Sequence, residues 1–148
     1  MQRKPTKRYW QAYSALYGDG EIKPQKARKP RNRDEEIEQE KFNCWFAVYM
    51  EPKGCRWFHP ANGGSRNAIE GAKFKRMGVK RGVSDIICPM ARKGHHGLVI
   101  ELKRVDGNMS DVSEDQQGWL NFFRAQGWSA HVAFGFEHAK KIVLEYFA

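Results

Sequence analysis

Three residues of this chain have the types and spacing to do chemistry together. Asp85, Glu101 and Lys103 lie in two short apolar runs, SDIIC and LVIELK, joined by a basic, glycine-containing connection. The second run reads as a strand over Leu98–Lys103, so Glu101 and Lys103 share one face while Ile100 and Leu102 share the other. A strand buries Leu and Ile easily, but it buries a carboxylate only at a cost, unless that carboxylate is paired or binds a cation. The run before it, Val83–Cys88, is stopped by Pro89, and the spacing suits a hairpin. If the two strands pair, Asp85 and Glu101 converge. Two carboxylates with water and a phosphate oxygen make a hard-oxygen site suited to magnesium or manganese. Lys103, one strand step on, can orient a nucleophilic water or stabilise charge developing on phosphorus. The bland alternative is an exposed Glu101–Lys103 ion pair, a common and weak feature. Against it stand the apolar strand, the position of Asp85, and an inward-facing acid upstream.

That acid belongs to the first helix. Asp34 suits an N-cap, and Glu35 and Glu36 suit a first turn by the helix dipole. Phe42, Trp45, Phe46 and Tyr49 recur at helical spacing and define a buried face. Three- and four-residue steps back along that face reach Glu38 and Gln39, then Glu35. Either Glu35 or Glu38 could complete a metal shell, directly or through water.

Further elements must position these groups. Arg56–Phe58 reads as a short strand, residues 59–67 (HPANGGSRN) as a loop, and Ala68–Met77 as a second helix closed by Gly78. Ser113 with Gln116 three residues on resembles a capping box, opening a helix that carries Trp119, Leu120, Phe122 and Phe123 and ends at Gly127. Trp128–Phe134 alternates as a strand, and Glu137–Phe147 is a final helix. The order αβαββαβα predicts an α/β fold, a mixed sheet with helices on both faces.

The bulk properties bound the rest. At 148 residues the chain has room for one real core. Residues 1–33 hold ten Lys/Arg against two Asp/Glu, whereas the remaining chain holds sixteen against fifteen. The basic excess is thus a leading arm, residues 1–33, ahead of a folded domain, residues 34–148, and such an arm usually meets a polyanion. Three cysteines without a CxxC pair argue against a disulfide framework or zinc site. No apolar run approaches the roughly 20 residues of a membrane span, and MQRKPTKRYW lacks the apolar stretch of a secretory signal, so the expected location is the cytoplasm.

Taken in order, these residues resemble the VRR-NUC (virus-type replication-repair nuclease) domain of the PD-(D/E)XK superfamily. The resemblance runs from about Glu35 to Ala148. It includes Glu35-x-x-x-Gln39, Asn62-Gly63-Gly64 with Arg66 and Asn67, Gly82-Val83-Ser84-Asp85, Gly97 to Lys103, Ser113-x-x-Gln116 and Gln126-Gly127-Trp128. Ser84 stands where the superfamily name has proline. The resemblance implies a restriction-endonuclease-like sheet and metal-dependent hydrolysis of a DNA phosphodiester. Asp85 and Glu101 match metal ligands, with the Leu102 carbonyl a further oxygen, and the helix-one acid matches Glu35 or Glu38. Lys103 matches the catalytic lysine. Gln116 matches a polar residue that orients Lys103 or a phosphate, or else simply caps its helix. The cofactor implied is magnesium or manganese. Small stand-alone members resemble junction-resolving enzymes, which implies a homodimer acting on branched DNA in phage-type replication, recombination or repair, in the host cytoplasm if the source is viral.

Other residues admit two readings. Asn62-Gly63-Gly64 can bring backbone N–H groups to a phosphate or form a plain turn. Arg66, Lys73, Lys75, Arg76, Lys80 and Arg81 face only Glu70, and either track a DNA backbone or form a solvated face. His95 and His96, adjacent at a hairpin tip, point in opposite directions, and His59, His131 and His138 read as ordinary core or surface histidines. The competing function is a non-catalytic nucleic-acid-binding module on a nuclease fold, which has no use for intact Asp85, Glu101 and Lys103. An RNA- or ribosome-associated basic protein accounts for the arm but not for Glu101.

Overall fold

The computed structural model describes residues 33–60 and 67–148. The basic arm, and Asn62, Gly63, Gly64 and Arg66 of the loop, lie outside the described residues. The elements are helix α1 (Arg33–Tyr49), helix α2 (Ala68–Arg76), strand β1 (Ile86–Cys88), strand β2 (Leu98–Lys103), helix α3 (Glu114–Ala125), strand β3 (Ser129–Phe134) and helix α4 (Phe136–Phe147). Short 3-10 turns at Glu51–Lys53 and Met109–Asp111 link them.

The sheet is mixed. β1 pairs antiparallel with β2, Ile86 opposite Ile100, and β3 pairs parallel with β2, Leu98 opposite Ser129. Every β2 residue is buried, because helices cover both faces. Phe42, Phe46, Leu98, Ile100, Leu102 and Val143 make one core with α1 and α4, while Ile87, Val99, Leu120 and Ala130 make the other with α3. This is the mixed sheet flanked by helices that the alternation on β2 predicts.

Two strands are shorter than the sequence suggests. Arg56–Phe58 contributes only a single bridge, Phe58 with Ile87. Pro60 cannot extend a ladder, and the His59 ring instead bonds the Asp85 carbonyl at 2.7 Å. β1 begins at Ile86 rather than Val83, because the Asp85 carboxylate, not the Ser84 carbonyl, accepts the next β2 N–H, that of Leu102.

Glycine is required where elements nearly touch. A Cβ on Gly97 would fall 2.2 Å from the Trp128 ring and 2.8 Å from the Cys88 carbonyl. On Gly82, at φ +75°, it would fall 2.7 Å from Asp115 and 2.8 Å from the Gln116 nitrogen. The turn before Asp85 therefore lies directly against the start of α3, where Trp119 Nε1 also donates to the Arg81 carbonyl at 2.9 Å.

Glu38 is buried, but its work is structural. One oxygen accepts from Lys41 at 2.7 Å and the other from the Phe136 backbone N–H. Phe136 opens α4, whose N-cap Gly135 offers no side chain, so Glu38 caps that helix from α1. Burial pushes this carboxyl upward, but the Lys41 ammonium and the Phe136 N–H outweigh it and hold the group below the usual carboxylate range. We predict that Glu38→Ala lowers unfolding stability by about 1–3 kcal/mol, measured by urea denaturation. Lys41→Ala, at a half-exposed position, should cost less than about 1 kcal/mol. Equal losses would mean the ion pair, not the cap, is what matters.

Candidate active site

The hairpin register sets the site. Continued one residue past Ile86–Ile100, it puts Asp85 directly across from Glu101. Phe58 takes both Ile87 backbone bonds, so Ile87–Val99 is a pair without mutual ladder bonds. Asp85 lies just beyond the last pair, its carboxylate near enough to Glu101 to raise that carboxyl. Asp85 Oδ2 accepts the Leu102 N–H at 2.9 Å. In an extended strand a residue's N–H and C=O project to the same edge, so the Leu102 carbonyl is turned to the Asp85 side as well.

Glu101 is 1% exposed and Lys103 5%. The Lys103 ammonium lies 3.1 Å from Glu101 Oε1 and donates to Gln116 Oε1 at 3.1 Å. Gln116 Nε2 donates to Glu101 Oε1. Gln116 is itself fixed by the capping box of α3, its Oε1 accepting the Ser113 N–H at 2.9 Å. One side chain therefore caps α3 and bonds both Lys103 and Glu101.

By distance Glu101 and Lys103 form a salt bridge, yet the Glu101 carboxyl is pushed up to about 9. Burial is the main cause and the Asp85 carboxylate the second, with Lys103 pulling the other way. One ammonium faces two carboxylates, and the charge is one short. No N–H or hydroxyl donates to the buried Glu101 Oε2, and a side-chain hydrogen bond shared with Asp85 raises the carboxyl further.

Beside this cluster a pocket of about 220 Å³ opens between α1 and the strand ends. Glu35, Glu36, Gln39 and Glu40 line one side, and His59, Asp85 and Leu102 the other. Of the two helix-one acids expected to serve a metal, Glu35 faces this pocket, whereas both oxygens of Glu38 are engaged elsewhere. The Glu38 expectation is thereby corrected: helical spacing put it on the inward face but could not show that α4 begins there.

Among the described residues no three His, Cys, Asp or Glu side chains form a ready-made metal cage. The donors present are two carboxylates, one with an orphaned oxygen, and a backbone carbonyl at the same edge. That set fits a hard divalent cation that keeps several positions for water and phosphate.

His59 is a pocket residue that the sequence reading missed. A carbonyl only accepts, so Nδ1 carries the proton in the bond to the Asp85 oxygen. No local pattern around HPANGG signals this. Gln39, which helical spacing already put on the inward face, brings a buried Nε2 without a hydrogen-bond partner among the described residues to the same pocket. Lys73, Lys80 and Arg81 are exposed on α2 and the turn after it, with Arg81 3.7 Å from Asp115 at the start of α3. Ser84, at the family's proline position, is fully buried with its hydroxyl unpartnered.

The VRR-NUC domain profile matches residues 29–137, most of the chain. The chain belongs to the VRR-NUC family. A solved structure described as a VRR_NUC domain protein is similar at 27% identity with a TM-score of 0.63, over 78% of this chain and 89% of that one. A search of curated proteins finds no match. The VRR-NUC assignment makes this a nuclease-type domain, and the acidic hairpin lies within the matched span.

The raised Glu101 carboxyl has a measurable consequence. It ionises near 4.5 in the unfolded chain and near 9 in the metal-free fold, so its contribution to stability is present at low pH and is lost as pH rises toward 9. In EDTA the melting temperature of the wild type should fall relative to Glu101→Gln between pH 6.5 and 9, with the variant the more stable at the upper end. Parallel profiles would show that Glu101 is not held neutral.

Proposed function

We propose that this chain is a metal-dependent DNA endonuclease that hydrolyses phosphodiester bonds, with Asp85, Glu101 and the Leu102 carbonyl holding magnesium or manganese and Glu35 completing the shell directly or through water. The observation that carries the proposal is the buried Glu101, orphaned at Oε2, opposite Asp85 and one strand step from Lys103. A module that only grips DNA gains nothing from a carboxylate pair that costs stability.

When bound there, a divalent cation supplies Lewis-acid polarisation of a phosphate. The chain's own residues do the rest. Lys103, restrained by Glu101 Oε1 and Gln116 Oε1, presents an ammonium that orients an attacking water or steadies charge developing on the phosphate. Gln116 is a positioning residue for both partners. Lys73, Lys80 and Arg81, with Asn62, Gly63, Gly64 and Arg66, contact the DNA backbone, giving affinity without base readout. The preferred substrate is branched DNA in replication, recombination or repair, and a homodimer supplies the two sites that paired cuts need. No described helix is long and apolar enough to cross a membrane.

Cleavage of labelled linear, flapped and four-way DNA tests this. With Mg²⁺ or Mn²⁺ the wild type should cut. Lys103→Ala should bind equally and cut about a hundredfold more slowly or worse. Binding without cutting under either metal would leave the binding module as the better reading. Neutralising Lys80 or Arg81 should lower the slope of log affinity against log salt by about 0.9 each, and an unchanged slope would remove that residue from the interface.

A further inference from the structure

A second pocket, of about 380 Å³, lies between the hairpin tip, β3 and α4. Ser129 and His131 register with Leu98 and Ile100, so they point to the α4 side, away from the face shared by Glu101 and Lys103. The pocket also sits toward the start of β2, whereas the carboxylates are at its end.

Its walls are basic and supply donors. Lys93, from the hairpin tip, is the one described non-glycine residue at positive φ, 52°. With Gly94 at 80° it makes the turn that closes Arg92 on His95, a place where Asn, Asp or Gly serves more easily. What lysine adds is its ammonium, which crosses to the Glu145 carbonyl of α4 at 2.6 Å. His138 Nδ1 accepts the Phe134 N–H at 3.2 Å, so its neutral ring carries the proton on Nε2 as a donor. His131 Nε2 and Ser129 Oγ are 2.7 Å apart, and whichever donates, the pair keeps one spare N–H or O–H. Among the described residues Lys141 makes the 3.8 Å contact to Glu145 and no closer ion pair, and both are well exposed. Glu145 is the single acidic side chain in the lining. The His131 ring is lowered by burial and then by Arg124, His95 and His138, consistent with a positive local field.

This chemistry suits an anion with several acceptor oxygens. A metal is disfavoured, since His138 Nδ1 is spent and no three ligating side chains converge among the described residues. The space exceeds what a bare oxyanion needs, and Ile142 and the Tyr146 ring add an apolar surface. We propose that this pocket binds a phosphate monoester, its phosphate among Lys93, Lys141 and the His138 Nε2–H and its organic part against Ile142 and Tyr146. The site is separate from the nuclease centre and stands whether or not the chain cuts DNA.

Amide and imidazole NMR of the full chain tests it, without divalent ions and at constant ionic strength. Titration uses inorganic phosphate, a nucleoside 5′-monophosphate, and chloride as control. Saturable shifts at His131, His138 and Lys141 are expected, tighter for the monophosphate than for inorganic phosphate. Affinity should fall at least tenfold in the folded double variant Lys141→Ala/His138→Gln and stay unchanged in Lys103→Ala. Absence of saturable shifts, their persistence in the double variant, or their loss in Lys103→Ala would overturn the site. Equal affinity for the two phosphates would overturn the monoester assignment.

Discussion

The structure around the hairpin depends on a charge that the protein does not itself balance. Asp85, just before β1, lies close to Glu101 of β2, and among the described residues the one cation ion-paired with Glu101 is Lys103. Exposed carboxylates would tolerate this. Buried beneath α3, Glu101 cannot stay ionised without more positive charge, so the metal-free fold keeps a proton there. A divalent cation is the other way to meet the shortfall, and the proposed activity is the use of that second way.

Several local features serve this cluster. Asp85 gives up its strand geometry so that its carboxylate can take the Leu102 N–H, shortening β1 and fixing the carboxylate at the edge. Gln116 uses one side chain to cap α3, receive Lys103 and hold Glu101. Gly82 lets the turn before Asp85 lie against that cap, so the start of α3 and the Asp85 carboxylate are positioned by a single contact. Glu38 ties α1 to α4, which sets α1 where Glu35 and Gln39 can line the pocket.

An apolar run with charges two residues apart in LVIELK, a Pro stop after Cys88 and a Ser-x-x-Gln box are local signals, and the hairpin, β2 and the start of α3 could be read from them. Asp85 opposite Glu101 follows from the same register. Other features depend on contacts between distant segments. The choice between Glu35 and Glu38 turns on where α4 begins, nearly a hundred residues on. The Arg56–Phe58 strand is cut to one bridge by His59 and Pro60, whose ring contact with Asp85 no spacing foretells. Likewise His131 and His138 look ordinary alone and gain meaning only when β3 and α4 meet Lys93.

Positive charge is missing between Asp85 and Glu101, and calorimetric titration with Mn²⁺ in two buffers of different ionisation enthalpy measures it directly. One ion should bind per chain near neutral pH and release about one proton, the proton Glu101 holds in its absence, and Asp85→Asn should abolish both. Binding that releases no proton and survives Asp85→Asn, or no binding by a folded wild type, would contradict the account.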